Sequence, residues 1–124
     1  MGRKGDAATG RAAHRLGLRA ERLAALLLRL KGYRILATRL KTPAGEIDMV
    51  ARRGHALVIV EVKARADEAG AAEALQLRQL KRLERAAAHF LGRNPALASL
   101  DLRFDAVLVT PFRLPRHMKD AWRP

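Results

Sequence analysis

Apolar positions along the 124-residue chain switch between a helical and a strand period, and the switches divide it into elements. From about Ala12 to Lys31, the residues Leu16, Ala20, Leu23, Leu27 and Leu30 recur at helical spacing, and Gly32 stands where a helix end takes a left-handed residue. This predicts a first helix. "YRILATRL" then turns to β-formers, and "KTPAG", with Pro43 and Gly45, ends that run as a turn. "EIDMVAR" and "ALVIVEVKAR" flank a short connection centred on Gly54, which is a hairpin signal. A second long helix is expected over roughly Ala71 to Leu91. Leu77, Leu80, Leu83, Ala87 and Phe90 make its apolar stripe, and Arg78, Lys81, Arg82 and Arg85 take its other faces. Gly92 and Pro95 break it. "LDLRFDAVLVT" reads as a fourth strand, and "PFRLPRHMKDAWRP" as a tail with a helical turn as its candidate ending.

The order is therefore α-β-β-β-α-β, an α/β fold with a mixed central sheet flanked by helices. The second helix crosses from the third strand to the fourth, which makes that pair parallel with a right-handed crossover. Residues 1–10, with Gly2, Gly5 and Gly10 among charges, read as a flexible basic tail, and 11–124 as a single domain. A chain of this length buries about two-thirds of its unfolded surface, enough for one core without staples.

Side chains alternate faces along a strand. The third strand carries Leu57, Ile59, Glu61 and Lys63 on one face, and Ala56, Val58, Val60 and Val62 on the other. Both faces begin apolar, as in a central strand covered on each side. One then turns charged. On the second strand Glu46, Asp48 and Val50 share a face. A tight turn at Arg53-Gly54 pairs Arg52 with His55, and so sets Glu46 against Glu61 and Asp48 against Ile59. Opposed residues lie about 5 Å apart and diagonal ones about 7–8 Å, and opposed like charges destabilise a sheet. Asp48 and Glu61 can thus share a bridging ion. Mg²⁺, which takes a couple of carboxylates, waters and phosphate oxygens, suits the pair, with Mn²⁺ as its substitute. An isolated E-x-K is usually a surface ion pair. Here it ends an apolar strand and faces two further acids, which favours a site.

Charge names a partner. Lys and Arg number 25 against 12 Asp and Glu, a formal net charge of +13. Self-repulsion on that scale fits an anionic partner: nucleic acid first, an anionic membrane or ribosomal surface second. Arginine outnumbers lysine, which suits bidentate phosphate contacts, although codon bias produces the same excess. Arg78, Arg82 and Arg85 are candidate nucleic-acid contacts, with a solvated helix face as the plainer account. The absence of cysteine excludes disulfides, thiolate zinc sites and a cysteine nucleophile. No phosphate-binding loop or dinucleotide fingerprint is present. His14, His55, His89 and His117 lack ligand spacing and read as ordinary surface or partly buried residues, while Tyr33 and Trp122 read as packing groups. No apolar segment follows the basic start, and "LAALLLRL" is too short to span a bilayer. A cytoplasmic protein without a membrane partner is expected.

"GEIDMVA" followed by "VIVEVKAR" resembles the signature of the bacterial YraN-like family, which is assigned to the PD-(D/E)xK nuclease superfamily and is similar to archaeal Holliday-junction resolvases. The resemblance also takes in "GLRAERLAALLLRLKGYRIL", "EALQLRQLKRLERAA", "LRFDAVLV" and "PRHMKDAW", nearly the whole chain. It implies a restriction-endonuclease-like core. It also implies Asp48 as the metal-binding aspartate, Glu61 as the second metal ligand and Lys63 as the catalytic lysine. Glu21 matches the family's helical glutamate; a solvated helix residue is the equal alternative. The chain departs from the pattern at Ile47, where the superfamily has proline, at Ala20, where glycine is expected, and at Gln79, where a basic residue is common.

The implied activity is Mg²⁺-dependent phosphodiester hydrolysis on DNA, branched or damaged DNA included. Asp48, Glu61 and the carbonyl of Val62 are the expected metal donors. The carboxylates around Lys63 favour its charged form, which assigns it electrostatic stabilisation and water positioning rather than the role of a base. Glu46 and Glu21 would orient water or a second ion. A homodimer is compatible with a resolvase-like role, which needs two sites. The alternatives are a catalytically silent nucleic-acid-binding module of the same fold and a basic adaptor for an acidic protein or membrane surface.

Overall fold

The computed structural model describes residues 17–65 and 77–123. The predicted tail 1–10, the first helix before residue 17, the approach to the second helix and the side chain of Arg78 lie outside the described residues. The described chain runs from helix α1 (17–30) through strands β1 (Arg34–Thr42), β2 (Gly45–Arg53) and β3 (Ala56–Ala64). Helix α2 (Leu77–Arg93), a 3₁₀ turn (Pro95–Leu97), and strands β4 (Asp101–Val109) and β5 (Arg116–Trp122) complete it. The strands form one sheet in the order β1-β2-β3-β4-β5. β3 and β4 pair in parallel, as a helical crossover requires, and the other neighbours are antiparallel. This is an α/β restriction-endonuclease-like core.

Each face of the sheet is covered, as the apolar start of β3 implies. α1 packs Ala20, Ala24, Ala25 and Leu28 against Met49, Ala51, Val58, Val60, Val107 and Val109. α2 packs Leu83, Ala86, Ala87 and Phe90 against Ile47, Val50, Leu57, Ile59 and Phe104. The buried side of α1 differs from the expected leucine stripe: Leu23 and Leu30 are exposed, with Leu26, and alanines face the sheet. Small side chains let the helix axis approach a sheet whose own valines fill the gap. Past Lys31 the helix ends in a Schellman motif, with Tyr33 N–H donating to Leu28 O at 2.9 Å and Gly32 N–H to Arg29 O at 3.0 Å. Gly32 takes φ 90, which explains the glycine.

The expected C-terminal tail is instead β5, which pairs with β4 from Leu108↔Arg116 to Phe104↔Trp122 across a bulge. Its sequence shows no clean alternation because the strand is fastened by polar contacts. Asp105 on β4 is fully buried. Its carboxylate accepts from Arg103 Nε at 2.7 Å and Nη2 at 2.8 Å, from the Asp120 N–H at 2.9 Å, and from His117 Nε2 at 2.7 Å. Lys31 Nζ lies 2.8 Å from His117 Nδ1, which fixes the imidazole as acceptor there and donor to Asp105. Arg103 also donates to Tyr33 Oη at 2.7 Å. Burial pushes Asp105 up, but the hydrogen bonds from His117, Arg103 and Asp120 outweigh it and hold its pKa near about 2. His117 is thus no surface histidine: it ties β5 to β4 and to the end of α1.

Candidate active site

The hairpin closes over Gly54-His55, with Arg53 opposite Ala56, Arg52 opposite Leu57 and Met49 opposite Val60. This corrects the register expected from the sequence by two residues. Gly54 takes φ 58, so the turn is set by the glycine and the residue after it. Continued along both strands, the observed register sets Asp48 level with Glu61 and Glu46 level with Lys63.

The β2–β3 ladder stops at Met49↔Val60. Beyond that point β2 pairs only with β1, out to Thr42↔Gly45, and β3 only with β4, out to Ala64↔Val109. The sheet forks. Alternation along β2 breaks there too: Met49 packs toward α1, yet Ile47 packs toward α2. Asp48 therefore does not share a sheet face with Glu46 in the regular manner expected. Its carboxylate reaches across the gap and accepts the Val62 N–H at 2.8 Å, replacing the ladder bond that the parting strands gave up.

Glu61 is buried beside it, 8% exposed. Lys63 Nζ, on the same face of β3, is 3.0 Å from Glu61 Oε1. Burial, the charge of Glu61 and, further off, that of Glu21 push Asp48 up to about 7, against the opposing pull of the Val62 N–H. Lys63 supplies a counter-charge to Glu61, while Asp48 takes the peptide N–H of Val62. Glu21 comes from α1 and is ion-paired with Arg39 at 3.5 Å. Its charge adds to the rise at Asp48.

The other predicted residues lie further out. Glu46 is exposed at the lip of the fork and pairs in register with Lys41. Arg82 lays its stem over the start of β2: a Cβ on Gly45 would stand 2.9 Å from Arg82 Cδ. Arg85 is exposed further along α2. Gln79 sits one turn before the buried Leu83, and its Oε1 is enclosed without a hydrogen-bond partner.

One group was missed. Arg39, with φ 51, lines a cleft of about 320 Å³ between α1 and β1 together with Glu21, Arg22 and Arg29. Its position depends on a left-handed kink in β1 that no sequence pattern marks. The larger cavity, about 510 Å³, lies at the opposite end of the sheet around Arg103 and Trp122 and holds none of the predicted site residues.

Asp48, Glu61 and Lys63 therefore converge where the sheet parts, with Glu21 in electrostatic reach. Among the described residues, no group of three or more His, Asp or Glu side chains is arranged to hold a metal by itself. The carboxylates of Asp48 and Glu61 are the side-chain oxygen donors that meet there. No described helix is long and apolar enough to cross a membrane.

Residues 20–109 match the uncharacterised protein family UPF0102. A UPF0102 protein of Parvibaculum lavamentivorans is 71% identical over 98% of this chain and 92% of its own length. One from Paramagnetospirillum magneticum is 60% identical over 90% of both chains. A third, from Rhizobium etli, is 50% identical over 98% of this chain and 100% of its own.

Proposed function

The chain belongs to the UPF0102 (YraN-like) family, and from that premise we propose that the fork is the catalytic centre of a divalent-metal-dependent nuclease hydrolysing phosphodiester bonds in DNA. The carrying observation is geometric: Asp48 and Glu61 meet in an enclosed gap with the ammonium of Lys63 3.0 Å from Glu61. The donor set fits a hard cation. Two carboxylates face one another, and the raised pKa of Asp48 marks a pair short of positive charge. Asp48, Glu61 and the carbonyl of Val62 would hold Mg²⁺ or Mn²⁺, which would supply Lewis-acid activation of water and charge neutralisation at the phosphate.

The chain's own residues do the rest. Lys63 spends one ammonium hydrogen on Glu61 and keeps others for a phosphate oxygen, where negative charge grows as the attacking water adds. The Val62 N–H holds Asp48 in place, so the carboxylate needs no reorganisation when substrate arrives. Glu21, steadied by Arg39, and Glu46 at the lip would orient water. Arg22, Arg29 and Arg39 around the adjoining cleft, and Arg82 across the fork, offer guanidinium groups to the phosphates on either side.

The test pairs cleavage with metal binding. Linear, flapped and four-way DNA should be cut in Mg²⁺ or Mn²⁺ by wild type and not by Asp48→Asn or Glu61→Ala. Lys63→Ala should lose about 10²–10³ in rate, the usual cost of one electrostatic donor. Mn²⁺ binding, read by water-proton relaxation, should vanish in Asp48→Asn and Glu61→Gln. DNA binding without cleavage under either ion leaves a silent binding module of the same fold. Equal Mn²⁺ binding by wild type and both variants removes the metal site.

A further inference from the structure

Away from the carboxylates, large apolar side chains, cations and backbone strain coincide in the turn between β4 and β5, residues 110–115. Phe112 is 107% exposed and Leu114 91%. Single exposed apolar residues are common, but two nearly bare ones in one short turn call for an occupant. Phe112 also holds φ 61, a left-handed conformation that a bulky residue adopts only under strain. Pro111 and Pro115 bracket the turn and fix its dihedrals on both sides. Phe112 and Leu114 themselves add no buried surface to the fold. Arg113 and Arg116 stand exposed around it.

The turn rises beside the fork. Lys63 is level with Leu108 and Ala64 with Val109, so Thr110 starts it one residue beyond Ala64. Arg65 N–H donates to Val109 O at 3.2 Å and binds the two strand ends together. Glu61 lies four residues back along β3 from the level of Thr110, about 13 Å at ~3.3 Å per residue. That is about four nucleotide steps of a DNA strand.

We propose that the 110–115 turn is a wedge whose Phe112 and Leu114 enter between bases of DNA lying across the fork, with Arg113 and Arg116 on the adjacent phosphates. The inference rests on the fork being a DNA site, and it assigns to Phe112 and Leu114 the task of selecting DNA whose stacking is already broken, at a branch, flap or mismatch. An intact duplex must be unstacked to admit an apolar side chain, whereas a branch offers an open step. Every base has a face to stack on, so the wedge selects structure and not sequence. The net charge of +13 favours DNA over an apolar protein surface as the occupant.

Binding is measured by fluorescence anisotropy in EDTA, without cleavage. Four-way and flapped DNA are compared with a linear duplex of equal length, each carrying 2-aminopurine at the branch or the centre. Wild type should prefer the branched forms about tenfold and brighten the probe, as expected for one or two stacking contacts. The Phe112→Ala/Leu114→Ala double variant should lose both effects and hold its linear-duplex affinity within about twofold. Phe112→Tyr should retain them. Phe112→Gly, for which the left-handed φ is free, should melt at or above wild type yet bind like the double variant, which excludes misfolding as the cause.

DNA binding with no preference in wild type, or with the same preference in the double variant, overturns the wedge and leaves the fork reading intact. No DNA binding at low salt overturns both. Loss of binding only to vesicles of anionic phospholipid reassigns the turn to a membrane surface and overturns the wedge. Branch preference without cleavage in Mg²⁺ supports the wedge and removes catalysis alone.

Discussion

Asp48→Asn separates a charged site from a structural one, and the expected effect follows from where Asp48 sits. Its carboxyl is raised from 3.8 to about 7 in the folded protein, by burial first and by Glu61 second. In the unfolded chain it titrates near ~3.9. Below about pH 4 it is protonated in both states and contributes no pH dependence. As pH rises from there toward 7, the unfolded chain releases a proton that the folded chain keeps. Stability then falls by about 1.4 kcal/mol per pH unit and levels off above the folded value. The span of about three units sets a ceiling of about 4 kcal/mol, and partial solvent access with coupling to Glu61 brings the expected figure to about 2–3 kcal/mol.

Asparagine cannot ionise, yet keeps an oxygen for the Val62 N–H, so the fork's hydrogen bond survives the change. In EDTA the variant should match wild type near pH 4 and exceed it by about 2–3 kcal/mol at pH 8, measured by urea unfolding across that range. In melting temperature each kcal/mol is about 4 °C for a domain of this size. Added Mn²⁺ should raise wild type and leave the variant unmoved, because only a ligand-competent native state gains by linkage. A variant less stable than wild type at pH 8, or a difference that ignores pH, would refute the stored-charge account and make the carboxylates structural.

Asp105→Ala should cost about 3–5 kcal/mol in urea unfolding, because Arg103 and His117 lose a buried partner. Wild type should also lose about 2 kcal/mol of stability as pH falls from 4 toward 2, the window between the unfolded and the depressed folded values of Asp105. Gly45→Ala should cost about 1–2 kcal/mol through its φ of 138, and adding Arg82→Ala should not rescue it, since the strain is in the backbone. DNA affinity should fall by about 0.9 in log K per log unit of salt for each phosphate contacted, and Arg82→Ala should reduce that slope by about one contact.

Much of the molecule is legible in its sequence, because helices and the central strand carry strong periods. Both faces of β3 were readable from Leu57 to Val62, and the parallel pairing with β4 from the helix between them. What escaped has physical causes. The hairpin register hung on whether Gly54 opens the turn or follows an arginine, a two-residue ambiguity that hydrophobic pattern cannot settle, since both choices keep every face. α1 buries alanines rather than leucines because close approach to the sheet outweighs side-chain volume. β5 lacks alternation, since Asp105 and His117 hold it where apolar contacts ordinarily would. The lone aspartate in "LRFDAVLV" was the available signal for that network. Asp48, Glu61 and Lys63 were visible as types at a spacing, but the gap between them arises from two ladders ending at different points, a property of no single segment.

That gap also depends on the order in which the strands are made. Residues 49–60 pair as a hairpin locally, over the shortest of turns. The outer half of β3 is different: Glu61, Val62 and Lys63 take their partners from Ala106, Val107 and Leu108, which are made after α2. Domains emerge from the ribosome amino-terminal end first. A nascent chain ending before β4 therefore has both carboxylates and no fork to hold them. β5, which fastens β4 through Asp105, is the last element of all. The groups proposed to act on DNA therefore come together only after β4 has been made, late in the order of synthesis.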